Sequence, residues 1–226
     1  MRVAAFYDVH GNLHALEAVL AEVDRERVDA IVFGGDIAAG PFPVETVELV
    51  RSLDAVCIRG NADRLDAPAT EPEYEEARLW IERQLGEEGV AWLAALPFSA
   101  MLDDTLYVHA TPRSDEEVVT ELTTEERLAV VLAGVEQRLV VAGHTHMQFR
   151  RGRFVNAGSV GRPYEGRPGA YWALVGDDLE FRHTDYDLEG AAAAVRATTY
   201  PRAEAVASEN ILRVPTREEA LAEFGG

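Results

Sequence analysis

The chain is 226 residues long, 47% apolar and 27% charged, which is the balance of a globular protein with a sizeable core and excludes disordered and collagen-like classes. No apolar run approaches the roughly 18–20 residues that a membrane-spanning helix needs. Its 40 acidic side chains outnumber 21 basic ones, all of them arginine, for a net charge of −19; such a chain repels polyanions, so a nucleic-acid polymer is disfavoured as a partner.

At the N-terminus, Arg2-Val3-Ala4-Ala5-Phe6-Tyr7 is a short apolar run stopped by Asp8, too brief for a secretory leader. Apolar spacing predicts a helix over Leu13–Val23. Ala30–Phe33 predicts a buried strand broken by Gly34-Gly35. Pro41 and Pro43 precede a helix pattern in Val44, Val47, Leu49 and Val50, and Ala55-Val56-Cys57-Ile58 predicts a third strand broken at Gly60. This strand–helix rhythm is that of a largely parallel sheet covered by helices. Residues 62–72 are polar, carry Pro68 and Pro72, and read as a loop. Helices are expected near 73–85 and 88–95, the second ended by Leu96-Pro97. Residues 98–102 and Thr105–Val108 predict a hairpin turning at Asp103-Asp104. Thr123-Thr124-Glu125-Glu126 marks a helix start, with apolar spacing as far as Val135. Leu139–Ala142 predicts another strand, and 147–183 reads as short strands with turns at Arg151-Gly152, 158–169 and Gly176-Asp177. The Ala-rich tail from about Asp187 to Gly226 predicts helix in two pieces, interrupted near Pro201 and Pro215. With no repeat and no linker, the expectation is one α/β domain over 1–226 built on two packed sheets. Cys57 is the only cysteine, which rules out an internal disulfide and a zinc–thiolate cage and sets a cytoplasmic expectation.

The residues just past each apolar strand carry the chemistry. Asp8-Val9-His10 comes after the first, Gly34-Gly35-Asp36 after the second and Gly60-Asn61 after the third; His109 comes directly after Leu106–Val108, and Gly143-His144-Thr145-His146 after Leu139–Ala142. Ligands collect at the carboxyl ends of strands in open α/β sheets, so five such endings point to one place. Four of the six histidines lie in this set. Side chains two apart on an extended backbone share a side, so Asp8 and His10 can reach one ion; His144 and His146 can do the same or serve two neighbouring ions. The two oxygens of Asp36 can bridge. Oxygen and imidazole donors without thiolate suit Mn²⁺, Fe, Co²⁺, Ni²⁺ or Zn²⁺ better than Ca²⁺ or Mg²⁺.

In this order, Asp8-Val9-His10-Gly11-Asn12, Gly34-Gly35-Asp36, Gly60-Asn61, His109 and Gly143-His144-Thr145-His146 resemble the motif series of the calcineurin-like metallophosphoesterases. Asn156-Ala157-Gly158-Ser159-Val160-Gly161 is similar to a segment of the smaller bacterial and archaeal members. The resemblance implies a four-layer sandwich of two mixed β-sheets flanked by helices. It implies two divalent transition-metal ions, the first held by Asp8, His10, Asp36 and His146, the second by Asp36, Asn61, His109 and His144, with Asp36 bridging. Asp36, Asn61 and His109 are then the catalytic set. Two such ions outweigh the carboxylates of Asp8 and Asp36, so the site attracts phosphate in spite of the overall charge. The implied reaction is in-line attack by a metal-bridging hydroxide on phosphorus, with no covalent enzyme intermediate.

Many members carry a histidine after the Gly-Asn pair; here the residue is Ala62. That histidine is thought to steady or protonate the leaving oxygen, and alkyl monoesters need that proton most. The expected activity is therefore hydrolysis of small phosphodiesters, nucleotides among them, with manganese as a suitable ion. A phosphomonoesterase or protein phosphatase is the rival within the enzymes, and a metal-binding scaffold with little turnover the rival outside them. The partner is a small phosphoester; no membrane is expected, and self-association stays open.

Asp63 reads as a cap for the following turn, with a proton-donor role as the alternative. Arg113, four residues past His109, and Arg162 and Tyr164 in the loop Arg162-Pro163-Tyr164-Glu165-Gly166-Arg167 offer guanidiniums for phosphate and a ring for stacking. A solvent-exposed arginine and a plain connection explain the same residues equally well, and Arg64 shares the ambiguity. Asn12 reads as a helix cap or a support for the first loop, Cys57 as a small core residue and His14 as a surface helix position; His183 receives no role.

Overall fold

The computed structural model describes residues 1–69 and 71–224. Thr70, in the expected 62–72 loop, and Gly225 and Gly226, at the end of the tail, lie outside them. Two five-stranded mixed sheets stack face to face. In the first, β1 (Val3–Phe6), β2 (Ala30–Phe33) and β3 (Ala55–Cys57) run parallel, β9 (Ala170–Val175) pairs antiparallel with β1, and β10 (Leu179–Thr184) pairs antiparallel with β9 at the edge. In the second, β5 (Thr105–Val108), β6 (Leu139–Ala142) and β8 (Phe154–Ala157) are parallel, with β4 (Ser99–Leu102) and β7 (Gln148–Arg151) antiparallel at the edges.

Period-two alternation sorts the side chains into layers. Val3, Ala5 and Tyr7 face Leu139, Val141 and Val155 between the sheets, and the buried Tyr7 hydroxyl donates to the Val141 carbonyl at 2.8 Å across that gap. Ala4 and Phe6 face outward, under α1 (Leu13–Val23), α2 (Pro43–Ser52) and α3 (Pro72–Ala94). Val140 and Ala142 face outward on the other side, under α4 (Glu125–Val131) and α7 (Arg217–Glu223). The result is helices, sheet, sheet, helices, the four layers expected.

Local chemistry sets the element ends. Asn12 caps α1 by accepting from the Ala15 amide at 3.1 Å, so the capping reading holds, and its Nδ2 also donates to the Gly161 carbonyl. Pro43 and Pro72 open α2 and α3, where a missing amide costs nothing. The two helices expected at 73–85 and 88–95 are one element bent at Gly86, whose φ of 62° and ψ of −176° are not helical. Helix α4 stops at Val131, short of Val135, ahead of a turn that Gly134 takes with a φ of 78°. The tail forms three pieces rather than two, because Pro201 and Pro215 each interrupt it: α5 (Leu188–Arg196), α6 (Ala203–Ala205) running into a π-helical stretch at Val206–Leu212, and α7. Among the described residues no helix is long and apolar enough to cross a membrane.

Candidate active site

In-register pairing of β1 with β2 brings Asp8 and Asp36 side by side just past Phe6 and Phe33. Backbone bonds fix the two loops: the Asp8 amide donates to the Gly35 carbonyl at 3.1 Å and the His10 amide to the Asp36 carbonyl at 2.8 Å. The second sheet is locked to the first by the His144 amide, which donates to Asp8 Oδ2 at 2.9 Å. The 156–161 segment supports both loops. Asn156 Nδ2 donates to the Gly143 carbonyl and to Thr145 Oγ1, and the Ser159 hydroxyl and Gly161 amide donate to the Asp8 carbonyl at 2.8 and 3.0 Å.

Six non-glycine residues among those described take a positive φ: Asp8, His10, Asp36, Asp103, His144 and His146. Asp103 turns the β4–β5 hairpin; the other five are the ligand-type residues at strand ends. Side chains rarely adopt that conformation, and it persists where surrounding contacts enforce it, typically at functional sites. Gly60 lies against this loop so closely that a Cβ there would meet Asp36 Oδ1 at 2.1 Å, so only glycine fits.

The donor atoms converge. His146 Nε2 stands 3.3 Å and His10 Nε2 3.9 Å from Asp8 Oδ1, and the two imidazole nitrogens are 3.1 Å apart. His109 Nε2 lies 3.5 Å from Asp36 Oδ2, 3.9 Å from Asp8 Oδ1 and 3.0 Å from Asn61 Oδ1. His10 Nε2 also reaches Asp36 Oδ2 at 3.7 Å. Two groups of atoms, each within 4.8 Å of one another, could hold cations: Asp8, His10 and His146, and Asp8, Asp36 and His109. Both carboxylates therefore stand between His10 and His109. His144 lines the same space, its ring 5.2 Å from that of His109, but its Nε2–H donates to the Glu116 carbonyl at 3.2 Å. That ring has to turn for Nε2 to join the cluster.

Two features fit a divalent metal. Asp8 Oδ1 is buried and accepts no hydrogen bond, a costly state for an ionised oxygen unless a cation faces it. His109 Nδ1 lies 2.9 Å from the Gly34 carbonyl; a carbonyl only accepts, so Nδ1 carries a proton and Nε2, aimed at the carboxylates, is the nitrogen a cation would take in exchange for any proton there.

The charges are strongly perturbed. Burial works against an ionised Asp8, yet the imidazoles of His146, His109 and His10 hold it well below the usual carboxylate range. Burial, with repulsion from Asp8 and Asp63, pushes Asp36 up to about 7. Burial together with His146 lowers His10 well below its ordinary value, and burial together with His109 lowers His144 to about 4, so both imidazoles are neutral at neutral pH. Burial pulls His109 down too, but Asp36 and Asp8 outweigh it and the net shift is upward.

Position 62 offers a methyl group, and its amide donates to Asp36 Oδ1 at 2.8 Å. Asp63 does not cap the following turn. It is buried and reaches back, Oδ2 accepting from the Asp36 and Gly60 amides at 2.8 and 3.0 Å and Oδ1 from the Ile37 amide at 2.9 Å. Both oxygens are thus occupied, which removes the proton-donor alternative as well.

Beside the cluster lies a cavity of about 500 Å³ whose wall includes His10, Asp36, Asn61, His144 and His146. Arg162 and Tyr164 also line it, with the Arg162 guanidinium 5.8 Å over the Tyr164 ring and that ring 4.7 Å from His146. Arg113 is not part of the wall; it is exposed and bonded to Glu117 at 2.8 Å. Arg64 is on the wall, yet paired with Asp115 and Glu116. Tyr74, Tyr200, Arg202 and Phe224 line it too. No sequence signal marks these four, since α3 and the tail reach the site only through packing.

A four-layer sandwich with carboxylates and imidazoles gathered at its strand ends is the architecture of the calcineurin-like phosphoesterases. The sequence model for the calcineurin-like phosphoesterase superfamily domain matches residues 1–178, and the chain belongs to that superfamily, whose members are hydrolases acting on phosphoesters. It is similar to a metallophosphoesterase from Sphaerobacter thermophilus of known crystal structure, with 30% identity and a TM-score of 0.77 over 92% of this chain and 98% of that one. A hypothetical protein from Pyrococcus horikoshii OT3 shares the fold with a TM-score of 0.79 at 22% identity, over 92% and 96% of the two chains. An uncharacterized protein of Methanocaldococcus jannaschii is 26% identical over 222 residues, 84% of this chain and 89% of that protein. The superfamily match stops before β10, so Tyr200, Arg202 and Phe224 belong to a part of the chain beyond it.

Proposed function

We propose that the protein is a dinuclear metal-dependent phosphodiesterase acting on small diesters. The observation that carries this reading is Asp8 Oδ1, a buried carboxylate oxygen with no hydrogen-bond partner, facing the Nε2 atoms of three histidines within 3.9 Å. In this reading Asp8, His10, Asp36 and His146 hold one divalent ion and Asp36, Asn61, His109 and His144 the other, with manganese a suitable occupant. When bound, such a pair supplies an activated water nucleophile and charge stabilisation for phosphoryl transfer. The chain's own part is to orient the donors. Gly34 fixes the His109 tautomer, Asp63 pins the Asp36 loop, and Ser159 and Gly161 pin Asp8. Asn61 Oδ1, 3.0 Å from His109 Nε2, lies where it can share the second ion.

The diester preference rests on positions 62 and 63. Neither Ala62 nor the fully bonded Asp63 can hand a proton to a departing alkoxide, so substrates with good leaving groups are favoured. A cavity of about 500 Å³ accommodates organic groups on phosphorus. A single thiol, Cys57, pushed up to about 11 chiefly by burial, suits a cytoplasmic setting.

The test pairs elemental analysis with kinetics. With added Mn²⁺, the protein is expected to carry near two ions per chain and to hydrolyse bis(p-nitrophenyl) phosphate faster than p-nitrophenyl phosphate. Asp36→Ala and His109→Ala are each expected to lower turnover by at least about a thousandfold. Faster monoester turnover overturns the diester preference, and retained activity in either variant overturns the dinuclear assignment.

A further inference from the structure

The cavity wall contains two arginines that are weakly paired among the described residues. Arg64 and Arg78, also on this wall, are neutralised, Arg64 by Asp115 and Glu116, Arg78 by Glu75 and Glu82. Arg162 forms no ion pair among the described residues, and its buried Nε–H donates to nothing. Arg202 has a single, long ion pair among the described residues, to the exposed Glu73 at 3.9 Å.

Aromatic faces hold these guanidiniums instead. Arg202 stacks 4.0 Å over the Tyr74 ring, and Arg162 sits 5.8 Å over Tyr164. Such contacts attract a cation through the ring face, so the N–H donors not taken by the Tyr74 hydroxyl remain for an anion. The Tyr74 hydroxyl stands between the two charges: burial opposes its ionisation, but hydrogen bonding to Arg202 and the nearby Arg162 outweigh that and lower its pKa. The pair is placed firmly. The Arg162 amide donates to Ser159 Oγ at 2.8 Å, and the same oxygen donates to the Asp8 carbonyl at 2.8 Å. Arg202 comes after Pro201 where the tail enters the π-helical stretch, an irregular form often found at functional sites; Val206 and Asn210 of that stretch face the same cavity.

We propose that Arg162 and Arg202, seated on Tyr164 and Tyr74, form a subsite for a second phosphate of the substrate, so that the preferred substrates are phosphodiesters bearing a further phosphate on their organic part. This rests on the phosphodiesterase reading for the first phosphate, whose oxygens face the Asp8–Asp36 cluster. Two guanidiniums offer planar donor pairs matched to phosphate oxygens, and an anion there would meet one charge without an ion pair and one held only by a long contact to Glu73. Because Arg202 lies beyond the superfamily match, the tail confers this selectivity on a shared hydrolytic core.

Calorimetric titration of thymidine 3′,5′-bisphosphate and thymidine 5′-phosphate tests it, on Mn²⁺-loaded and on chelated protein. The bisphosphate is expected to bind at least about tenfold more tightly, an advantage that shrinks with salt. Arg162→Gln and Arg202→Gln are each expected to cut the ratio below about threefold; Arg202, whose side chain is partly exposed, keeps the test open should the Arg162 variant fold poorly. A ratio near one in the unaltered protein, an unchanged ratio in Arg202→Gln, or equal loss for both ligands overturns the subsite. Turnover of bis(p-nitrophenyl) phosphate measured alongside separates the two readings. No turnover with the ratio intact removes the catalytic reading alone, and turnover with a ratio near one removes the subsite alone.

Discussion

Asp63 holds the Asp36 loop from behind, and its chemistry is that of an acceptor only. Its two oxygens take amides from Asp36, Ile37 and Gly60, donors that would otherwise be buried and unpaired. Asp63→Asn keeps the shape but turns one oxygen into a donor facing a donor. Metal titration is expected to show affinity reduced by about 10–100-fold, the usual cost of losing a supporting partner. Asp63→Ala is expected to cost at least about 3 kcal/mol in chemical denaturation, since several buried amides lose their acceptor. Legibility among single residues is uneven. The carboxylates and histidines are readable because each sits just past an apolar strand. Asp63 departs from its expectation as a cap because a side chain's choice between the turn ahead and the loop behind depends on β2 and β3 lying side by side. Arg113 satisfies the sequence pattern for a phosphate contact but pairs locally with Glu117, a competition that spacing does not reveal.

Single elements carry their own tests. Gly86 bends α3 with a φ of 62° and a ψ of −176°, a region essentially reserved for glycine, and nothing lies within 4 Å of a Cβ built there. Gly86→Ala is therefore expected to destabilise by about 1–3 kcal/mol through backbone strain alone, read from the urea midpoint. Near the start of α3 and in α6, Glu75 and Glu204 are lowered to about 2, Glu75 first by its bond to Arg78 and Glu204 first by its bond to Arg196. A carboxylate whose folded pKa lies below its ordinary value of 4.5 stabilises the fold above that value and loses the contribution as pH falls toward the folded one. The thermal midpoint is expected to drop between pH 4.5 and about 2, and Glu204→Gln to flatten part of that drop; an unchanged profile in the variant refutes the assignment. The elements themselves are largely legible, since α1 and the strands of both sheets follow apolar periodicity. The tail is not: its prolines mark the breaks, but the π-helical register arises from packing Ala207 and Ile211 against α5.

Across the whole molecule, the centre binds the two sheets together. Asp8 and Asp36 come from the first sheet, His109 and His146 from the second, and a cation between them is expected to act as a cross-link. Chelation is expected to lower the thermal midpoint by several degrees, in proportion to the logarithm of free metal over its dissociation constant. Restoring Mn²⁺ should reverse the shift, and a midpoint indifferent to chelation refutes the cross-link. Because Asp36 and His109 are raised in the metal-free site, loading below about pH 7 is expected to release protons, measurable as a buffer-dependent heat.

The order of residues along the chain was enough to specify the superfamily, the strand endings and the donor types, because the candidate metal ligands are local to turns that come after apolar runs and keep their chain order. It also specified the absence of an acid at position 62. Folding in three dimensions decided which residues wall the cavity, which arginines are weakly paired, and that Asp63 supports rather than donates. Those outcomes depend on which acidic group lies nearest in space. In a chain with 40 acidic side chains and 21 guanidiniums, pairing is settled by packing between distant segments, and the two weakly paired arginines at the cavity are visible only once the tail has folded against it.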